Sequence, residues 1–417
     1  MIATGCLSLA KDKIKILLLE GISDTALLTF KEKGYKNVEL LTGSVDQIEL
    51  IKRLNNVHIL GIRSRTQVTA NILNAANKLI AVGCFSVGTN QIDLATAQLR
   101  GVPVFNAPFS NTRSVAELTI AEIIMLFRRT FSRSTAAHSG EWQKTAAQSY
   151  EVRGKTLGII GYGNIGTQLA NLAEAMGMHV IYYDHVDKLQ HGNVEAAGSL
   201  AKLLSNADVV SLHLPQTPET KGIIGPNQIL GMKDGAFLIN NARGNLVDID
   251  ALVAALKSGK LAGAAIDVFP IEPSSNVKSF KTSLQGVQNV ILTPHVGGST
   301  VEAQSRIGQE VALKLANYSD IGNTIGAVNF PQVLLPPRPV GTRFLQVHHN
   351  SPGALHRFNE VFSKYNINIM GQYLETSGEV GYVVLDAECV RFDPREILNK
   401  IRVLDGTIRA RIVHRIA

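Results

Sequence analysis

One short run constrains this chain more than any other. Leu157-Gly158-Ile159-Ile160 is an apolar, strand-like segment. Gly161-Tyr162-Gly163-Asn164-Ile165-Gly166 follows without a break, and Thr167–Met176 continues with helical periodicity. A G-x-G-x-x-G triplet between a strand and a helix signals dinucleotide binding. Gly161 permits the tight turn, Gly163 lets the backbone approach a pyrophosphate, and Gly166 lets the helix pack on the strand. The helix start then offers free N–H donors and a positive dipole end to the phosphates. The next strand, Val180–Tyr183, ends in Asp184, an acid placed to accept hydrogen bonds from ribose hydroxyls and to repel a 2′-phosphate. His185, Val186 and Asp187 follow with no arginine among them, so the segment predicts NAD rather than NADP.

The run is one part of a longer alternation. Strand-like segments lie at 14–19, 38–40, 57–62, 79–83 and 101–106, with helices near 46–54 and 69–76. A long apolar helix covers 114–129. A second series of strands follows at 155–160, 179–183, 208–212, 236–240, 262–266 and 290–292. Strands alternating with helices at this spacing predict parallel sheets with helices on both faces. Another helix runs from Thr300 to about Tyr318, and four prolines between Pro331 and Pro339 mark a linker. The tail reads strand (343–348), helix (353–364), two strands (367–375 and 380–386), helix from Pro394, and strand (407–414), a ferredoxin-like order. The expected fold class is therefore α/β, with two doubly wound parallel-sheet domains and a small ferredoxin-like domain. A chain of 417 residues is too long for one core, which agrees.

Composition narrows the function classes. With 45% hydrophobic and 18% charged residues, the chain is not globally disordered. Its formal charge of +7 comes from scattered Lys and Arg, not from a basic stripe, so no nucleic-acid partner is expected. No run of 18 apolar residues predicts a membrane span, and the first ten residues do not resemble a signal peptide. Cys6, Cys84 and Cys389 are odd in number and far apart, which predicts neither a disulfide framework nor a metal site. Cys84 reads as a buried bystander. The expectation is a cytoplasmic protein without a metal.

Three polar residues follow three strands of the second series: Arg243 after 236–240, Glu272 after 262–266, and His295 after 290–292. A parallel sheet brings its strand C-termini to one edge, where ligands bind. Oxidising a secondary alcohol requires a base for the hydroxyl proton, and His295 has a suitable unperturbed pKa. Glu272 can orient the imidazole and stabilise its protonated form. Arg243 can hold a carboxylate bidentately and polarise the forming carbonyl. Singly, each residue also reads as an ordinary structural histidine, helix-entry acid or loop cation.

Arg63-Ser64-Arg65-Thr66, the run Phe105–Glu117, the glycine loop and Thr293-Pro294-His295-Val296-Gly297-Gly298-Ser299-Thr300 carry a resemblance. From Lys11 to Ile412 the chain is similar to the D-isomer-specific 2-hydroxyacid dehydrogenase family, and within it to the branch that acts on 3-phospho-D-glycerate and carries a C-terminal ACT domain. The resemblance implies NAD-dependent oxidation of 3-phosphoglycerate to 3-phosphohydroxypyruvate, the first committed step of L-serine biosynthesis. It also implies L-serine as a feedback effector, a homotetramer and, as in some members, reduction of 2-oxoglutarate. The cofactor set becomes Gly161, Gly163, Asn164, Ile165, Gly166, Asp184, Asn241, Ala242, Arg243, Asp267, His295, Val296, Gly297 and Gly298. Arg63, Arg65 and Asn111 would line the substrate side of a cleft. Lys144 would reach the phosphate from a neighbouring subunit, and Trp142 would insert into that neighbour. His348, Asn350 and Asn368 would bind serine where two ACT modules pair.

The implied layout places a substrate domain at 1–108 and 299–332, an NAD-binding Rossmann domain at 109–298, a linker at 333–340 and the ACT domain at 341–417. Ala242 stands where relatives often carry serine, and His349 where an acid is common. Relatives acting on lactate, glycerate or formate do not account for the Arg63/Arg65 pair or the tail. Corepressors that share the fold and sense NAD keep a similar triad, but the ACT-like tail favours the enzyme.

Overall fold

The computed structural model describes residues 9–273, 279–336, 341–389 and 392–413. Cys6, His414 and part of the segment read as a linker (337–340) lie outside the described residues. The chain forms two compact units, one from Met1–Ser110 with Gln304–Ala417 and the other from Asn111–Ala303.

The first unit opens with β1 (Lys15–Leu18), α1 (Asp24–Glu32), β2 (Asn37–Leu40), α2 (Gln47–Leu54), β3 (Ile59–Ile62), α3 (Ala70–Ala75), β4 (Ala81–Cys84), α4 (Leu94–Leu99) and β5 (Val104–Asn106). The strands pair in parallel in the order β2-β1-β3-β4-β5. Successive residues of each strand face opposite sides, so continuous apolar runs feed two cores. Leu17, Leu60 and Val82 pack with Leu50, Ile72 and Leu73 of α2 and α3. Ile16, Leu18, Ile59 and Ala81 pack on the other face, with Phe30 of α1.

The second unit begins with α5 (Thr112–Arg128) and α6 (Thr130–His138), divided at Arg129, whose φ of 49° breaks the helical path. The prediction of one apolar helix corresponds to α5. No residue of α6 is buried, so it gives no periodic apolar signal. The chain continues through β6 (Thr156–Ile160), α7 (Asn164–Ala175), β7 (His179–Tyr183), β8 (Glu195–Ala196), α8 (Leu200–Asn206), β9 (Val209–Leu212), α9 (Pro226–Gly231), β10 (Ala236–Asn240), α10 (Ile249–Ser258), β11 (Leu261–Ile266) and β12 (Val290–Leu292). All seven strands are parallel, in the order β12-β11-β10-β9-β6-β7-β8. The winding reverses between β6 and β9. Sheets of this kind hold their ligands outside the strand C-termini at that point.

Helix α11 (Val301–Ile321) returns the chain to the first unit, where Ile307, Val311 and Leu315 join the core beside β1, β3 and β4. The tail contains β13 (Thr342–His349), α12 (Ala354–Lys364), β14 (Ile369–Ser377), β15 (Val380–Ala387), α13 (Pro394–Arg402) and β16 (Thr407–Val413). Its antiparallel sheet runs β14-β15-β13-β16, the ferredoxin-like arrangement. Phe358 and Phe362 of α12 and Ile397 and Ile401 of α13 cover one face with i, i+4 spacing. The other face carries Leu345, Val347, Tyr382 and Val384 into the same core as Tyr318, Phe330, Val333 and Leu335.

Candidate active site

The glycine loop joins β6 to α7. Gly161 has a φ of +95°, and an added Cβ would lie 2.6 Å from the His213 carbonyl oxygen, so only glycine makes this turn without strain. A Cβ on Gly163 would meet nothing within 4 Å, which leaves its backbone open to an approaching ligand. Gly163 is also the N-cap of α7 and supplies no side-chain cap to the helix N–H groups. The Asp184 side chain is 7% exposed at the end of β7. Its Oδ2 accepts the Tyr162 N–H at 2.9 Å, which ties the acid to the loop. Open backbone, uncapped helix start and fixed acid together fit NAD.

Arg243, Glu272 and His295 sit beyond β10, β11 and β12. Gly244 packs backbone to backbone against Phe269, since an added Cβ would lie 2.0 Å from the Phe269 carbonyl carbon. This brings the Arg243 turn against the segment carrying Glu272. Asn240 braces the turn by donating from Nδ2 to the Arg243 carbonyl at 2.9 Å and accepting the Ala242 N–H at 3.2 Å. Burial lowers the Arg243 pKa, while Glu272 favours its charged form.

Glu272 accepts the Phe269 N–H at 3.1 Å, and its other oxygen lies 2.8 Å from His295 Nδ1. Burial pushes the Glu272 carboxyl up, but the bond and charge of His295, the Phe269 N–H and Arg243 together hold it below the usual range. The bond to Glu272 raises the His295 pKa above 6.5, against burial. His295 has a left-handed φ of 56°, a strained backbone that the surroundings must enforce. Asp267 does so. Its carbonyl accepts the His295 N–H at 2.8 Å, and its carboxylate accepts the Val296 and Gly297 N–H groups at 2.8 Å each and the Thr293 hydroxyl at 2.6 Å. With Nδ1 engaged, the imidazole has Nε2 left for proton transfer.

Behind β10 lies a group that sequence reasoning did not single out. Glu122 of α5 is 1% exposed and accepts from Asn241 Nδ2 at 2.7 Å. Burial pushes its carboxyl up to about 7, opposed by the Asn241 bond and aided by the Asp267 charge. Because the folded value exceeds the unfolded one, the proton stabilises the fold at low pH, and that stability is lost as pH rises towards 7. Glu122→Gln retains an acceptor but does not titrate. At pH 8 the variant is expected to gain about 3 kcal/mol over the parent, and at pH 4 almost nothing. Denaturant midpoints at both pH values check this, and an equal gain at both would rule out the Glu122 proton as the cause.

The other candidate residues are placed as follows. Asn111 precedes α5, and its Oδ1 is buried with no hydrogen-bond partner among the described residues. Lys144 and Trp142 lie in an exposed segment between α6 and β6, with Trp142 86% exposed. Arg63, half-buried, and Arg65, exposed, follow β3 in the first unit. Cys84 ends β4, and burial pushes its thiol up to about 12, as suits an inert side chain. Among the described residues, no group of three His, Cys, Asp or Glu side chains is arranged to hold a metal. No described helix is long and apolar enough to cross a membrane.

The chain does not by itself bring the serine candidates together. His348 pairs in register with Gly381, and Asn350 Nδ2 donates to the Gly378 carbonyl at 3.1 Å, both near the β14–β15 turn. Asn368 precedes Ile369, which pairs with Ala387 at the far end of β15. At about 3.3 Å per residue, the two groups are separated by about 20 Å.

Residues 120–297 match the model of the D-isomer specific 2-hydroxyacid dehydrogenase NAD binding domain, and residues 344–409 match the AHAS small subunit-like ACT domain. D-3-phosphoglycerate dehydrogenase of Haemophilus influenzae is 52% identical over 411 residues, covering 99% of this chain and 100% of the relative. The enzyme of the same name from Escherichia coli K12 is 51% identical over 407 residues, covering 98% and 99%. Among solved structures, D-2-hydroxyisocaproate dehydrogenase aligns with a TM-score of 0.68 at 27% identity, over 76% of this chain and 100% of its own. D-lactate dehydrogenase from Aquifex aeolicus, complexed with NAD and lactic acid, gives 0.66 at 29% identity, over 76% and 100%.

Proposed function

The chain belongs to the D-isomer specific 2-hydroxyacid dehydrogenase family, and on that premise we propose that it oxidises 3-phospho-D-glycerate to 3-phosphohydroxypyruvate with NAD, the first committed step of L-serine biosynthesis. The observation that carries the substrate is the 52% identity with a D-3-phosphoglycerate dehydrogenase, which spans both units and the tail. Bound NAD supplies the two-electron acceptor, held by the loop Gly161–Gly166, Asp184, Asn241–Arg243, Asp267 and His295–Gly298.

The chain's own residues handle the proton and the charges. His295 Nε2 takes the substrate hydroxyl proton, because Nδ1 faces Glu272 at 2.8 Å. The imidazolium that forms is stabilised by the Glu272 carboxylate. Arg243 holds the substrate carboxylate and polarises the forming carbonyl oxygen. The doubly charged phosphate needs further cations, and Arg63, Arg65 and Lys144 are proposed to supply them, with Asn111 as a polar contact. Oxidation needs neutral His295, so its rate rises with pH through the raised pKa, and reduction has the opposite dependence.

The tail is proposed to bind L-serine between two copies of the chain. The separation of His348 and Asn350 from Asn368 along the sheet supports this, because one module cannot place all three on a small ligand. Asn368→Ala is then expected to weaken serine inhibition about tenfold or more, the effect of a lost polar contact to a buried ligand, with uninhibited turnover unchanged. Inhibition curves on parent and variant check it, and overlapping curves would remove Asn368 from the site. A homotetramer and 2-oxoglutarate reduction are carried as further proposals.

The deciding experiment follows NADH absorbance with 3-phosphohydroxypyruvate, with and without L-serine. Rapid oxidation suppressed by serine supports both proposals. Oxidation that serine leaves unchanged keeps the substrate and discards the effector. No oxidation, with 2-oxoglutarate and pyruvate also inert and NADH bound, discards the enzymatic reading.

A further inference from the structure

The turn carrying Arg63 and Arg65 is held by a buried acid with no role in the chemistry above. Glu20 follows β1 and is 8% exposed. Its Oε1 accepts the Thr66 N–H at 2.8 Å and the Arg63 N–H at 3.3 Å, and its Oε2 accepts the Arg65 N–H at 2.9 Å. The Glu20 carbonyl also accepts from Arg63 Nη1 at 3.4 Å. One carboxylate thus gathers three amides of a single turn, a task suited to a group with acceptors on both oxygens and no donor.

The opposite side of the Arg63 peptide is held as well. Gln91 Nε2 donates to the Arg63 carbonyl, and also to Cys84 Sγ at 2.9 Å. The Arg63 backbone is therefore clamped at both its N–H and its C=O.

Two features make Glu20 more than a convenient cap. Its φ is +65°, in the left-handed region that a residue with a Cβ adopts at a cost. Neighbouring packing must enforce that conformation, as is usual at functional positions. Its charge also acts on the arginines. Burial lowers the Arg63 pKa, Glu20 raises it and Arg65 lowers it. Glu20 therefore offsets both desolvation and the repulsion between the two cations, while its oxygens are occupied by the turn.

We propose that Glu20 is a positioning residue that sets the shape of the Arg63–Thr66 turn and, through it, the affinity for the phosphorylated substrate. The inference rests on the reading that Arg63 and Arg65 hold that substrate. Glu20 touches neither the reacting atoms nor the glycine loop, so its effect falls on substrate affinity, not on turnover or cofactor binding.

The test is steady-state kinetics with 3-phosphohydroxypyruvate on the full chain, together with the NADH dissociation constant. In Glu20→Gln one carboxylate oxygen becomes an NH2 group that meets an amide donor instead of accepting it. KM is expected to rise about 10–100-fold, the scale of a misplaced binding group. Turnover at saturation stays within about threefold, and NADH affinity is unchanged, as for loss of an interaction common to ground and transition states. A lower melting temperature with an unchanged KM would make Glu20 a structural residue only and overturn the proposal. Should Glu20→Gln not fold, Glu20→Asp decides by the same criterion, since its shorter side chain cannot reach all three amides. Arg63→Ala and Arg65→Ala separate this proposal from its premise. If they raise KM and the Glu20 variants do not, the positioning role fails. If they too leave KM unchanged, the assignment of these arginines to the substrate fails.

Discussion

Replacing His295 with Ala is expected to lower turnover by about 10²–10⁴-fold, the range for a lost general acid–base, while NADH affinity holds. The imidazole has one nitrogen 2.8 Å from Glu272, and its backbone is fixed through Asp267. Ala removes the imidazole but leaves the backbone bonds to Asp267 available, so the cofactor surface persists. Glu272→Gln provides the complementary result. The Glu272 bond is the largest influence raising the His295 pKa. Without the carboxylate, that pKa falls and the acid limb of the oxidation profile moves to lower pH, with slower turnover because the imidazolium loses its counter-charge. The measurements are pH profiles of kcat and NADH titration. A His295→Ala enzyme with parental turnover would end the general-base assignment.

The largest effect on stability is expected at Asp386. Arg343 and Asp386 are 6% and 1% exposed, and the guanidinium meets the carboxylate through two bonds, Nε–Oδ1 at 2.6 Å and Nη2–Oδ2 at 2.8 Å. Arg343 also donates to the Ile321 and Pro336 carbonyls at 3.1 and 2.9 Å. Asp386→Ala leaves a buried cation without its counter-charge and is expected to cost about 3–5 kcal/mol. Replacing both partners, as Arg343→Met with Asp386→Leu, is expected to recover most of the loss, because a buried pair gains little net energy over apolar groups of similar volume. Urea midpoints of parent, single and double variants check both statements. A single-variant loss below about 1 kcal/mol would mean that solvent reaches the guanidinium once the carboxylate is gone.

What could be read from the chain follows from which interactions are local. The strands of both parallel sheets are covered on two faces, so they appear as short apolar runs such as Ile16-Leu17-Leu18 and Leu157–Ile160. Once the runs are known to be parallel, the residues just after them share an edge, which is why Arg243, Glu272 and His295 stood out together. By contrast, α6 buries nothing, and β8 has only two residues, so neither carries a pattern. Glu20 was illegible for another reason. A glutamate before a glycine at a strand end reads as a surface turn, and its partners lie beyond Ile62 in sequence. Glu122 looks like one polar position in an apolar helix until Asn241 is placed beside it. For His348 and Asn368, periodicity identifies the strands but not their register, and register is what sets them apart.

The return of the chain through α11 has a consequence for how the molecule is made. Sheet β1–β5 is finished by Asn106, yet Ile307, Val311 and Leu315, which pack against one of its faces, follow about 200 residues later. At about 5–20 residues per second, the ribosome takes about 10–40 s to supply them. Asn111–Ala303, a contiguous stretch with its own sheet and cores, can close on itself in that interval. The earlier half of the first unit waits with that apolar face covered only in part, by α1. A ribosome stalled soon after Ala303 would therefore release one finished unit joined to an adhesive, unfinished sheet, a product for chaperones or proteases rather than for catalysis.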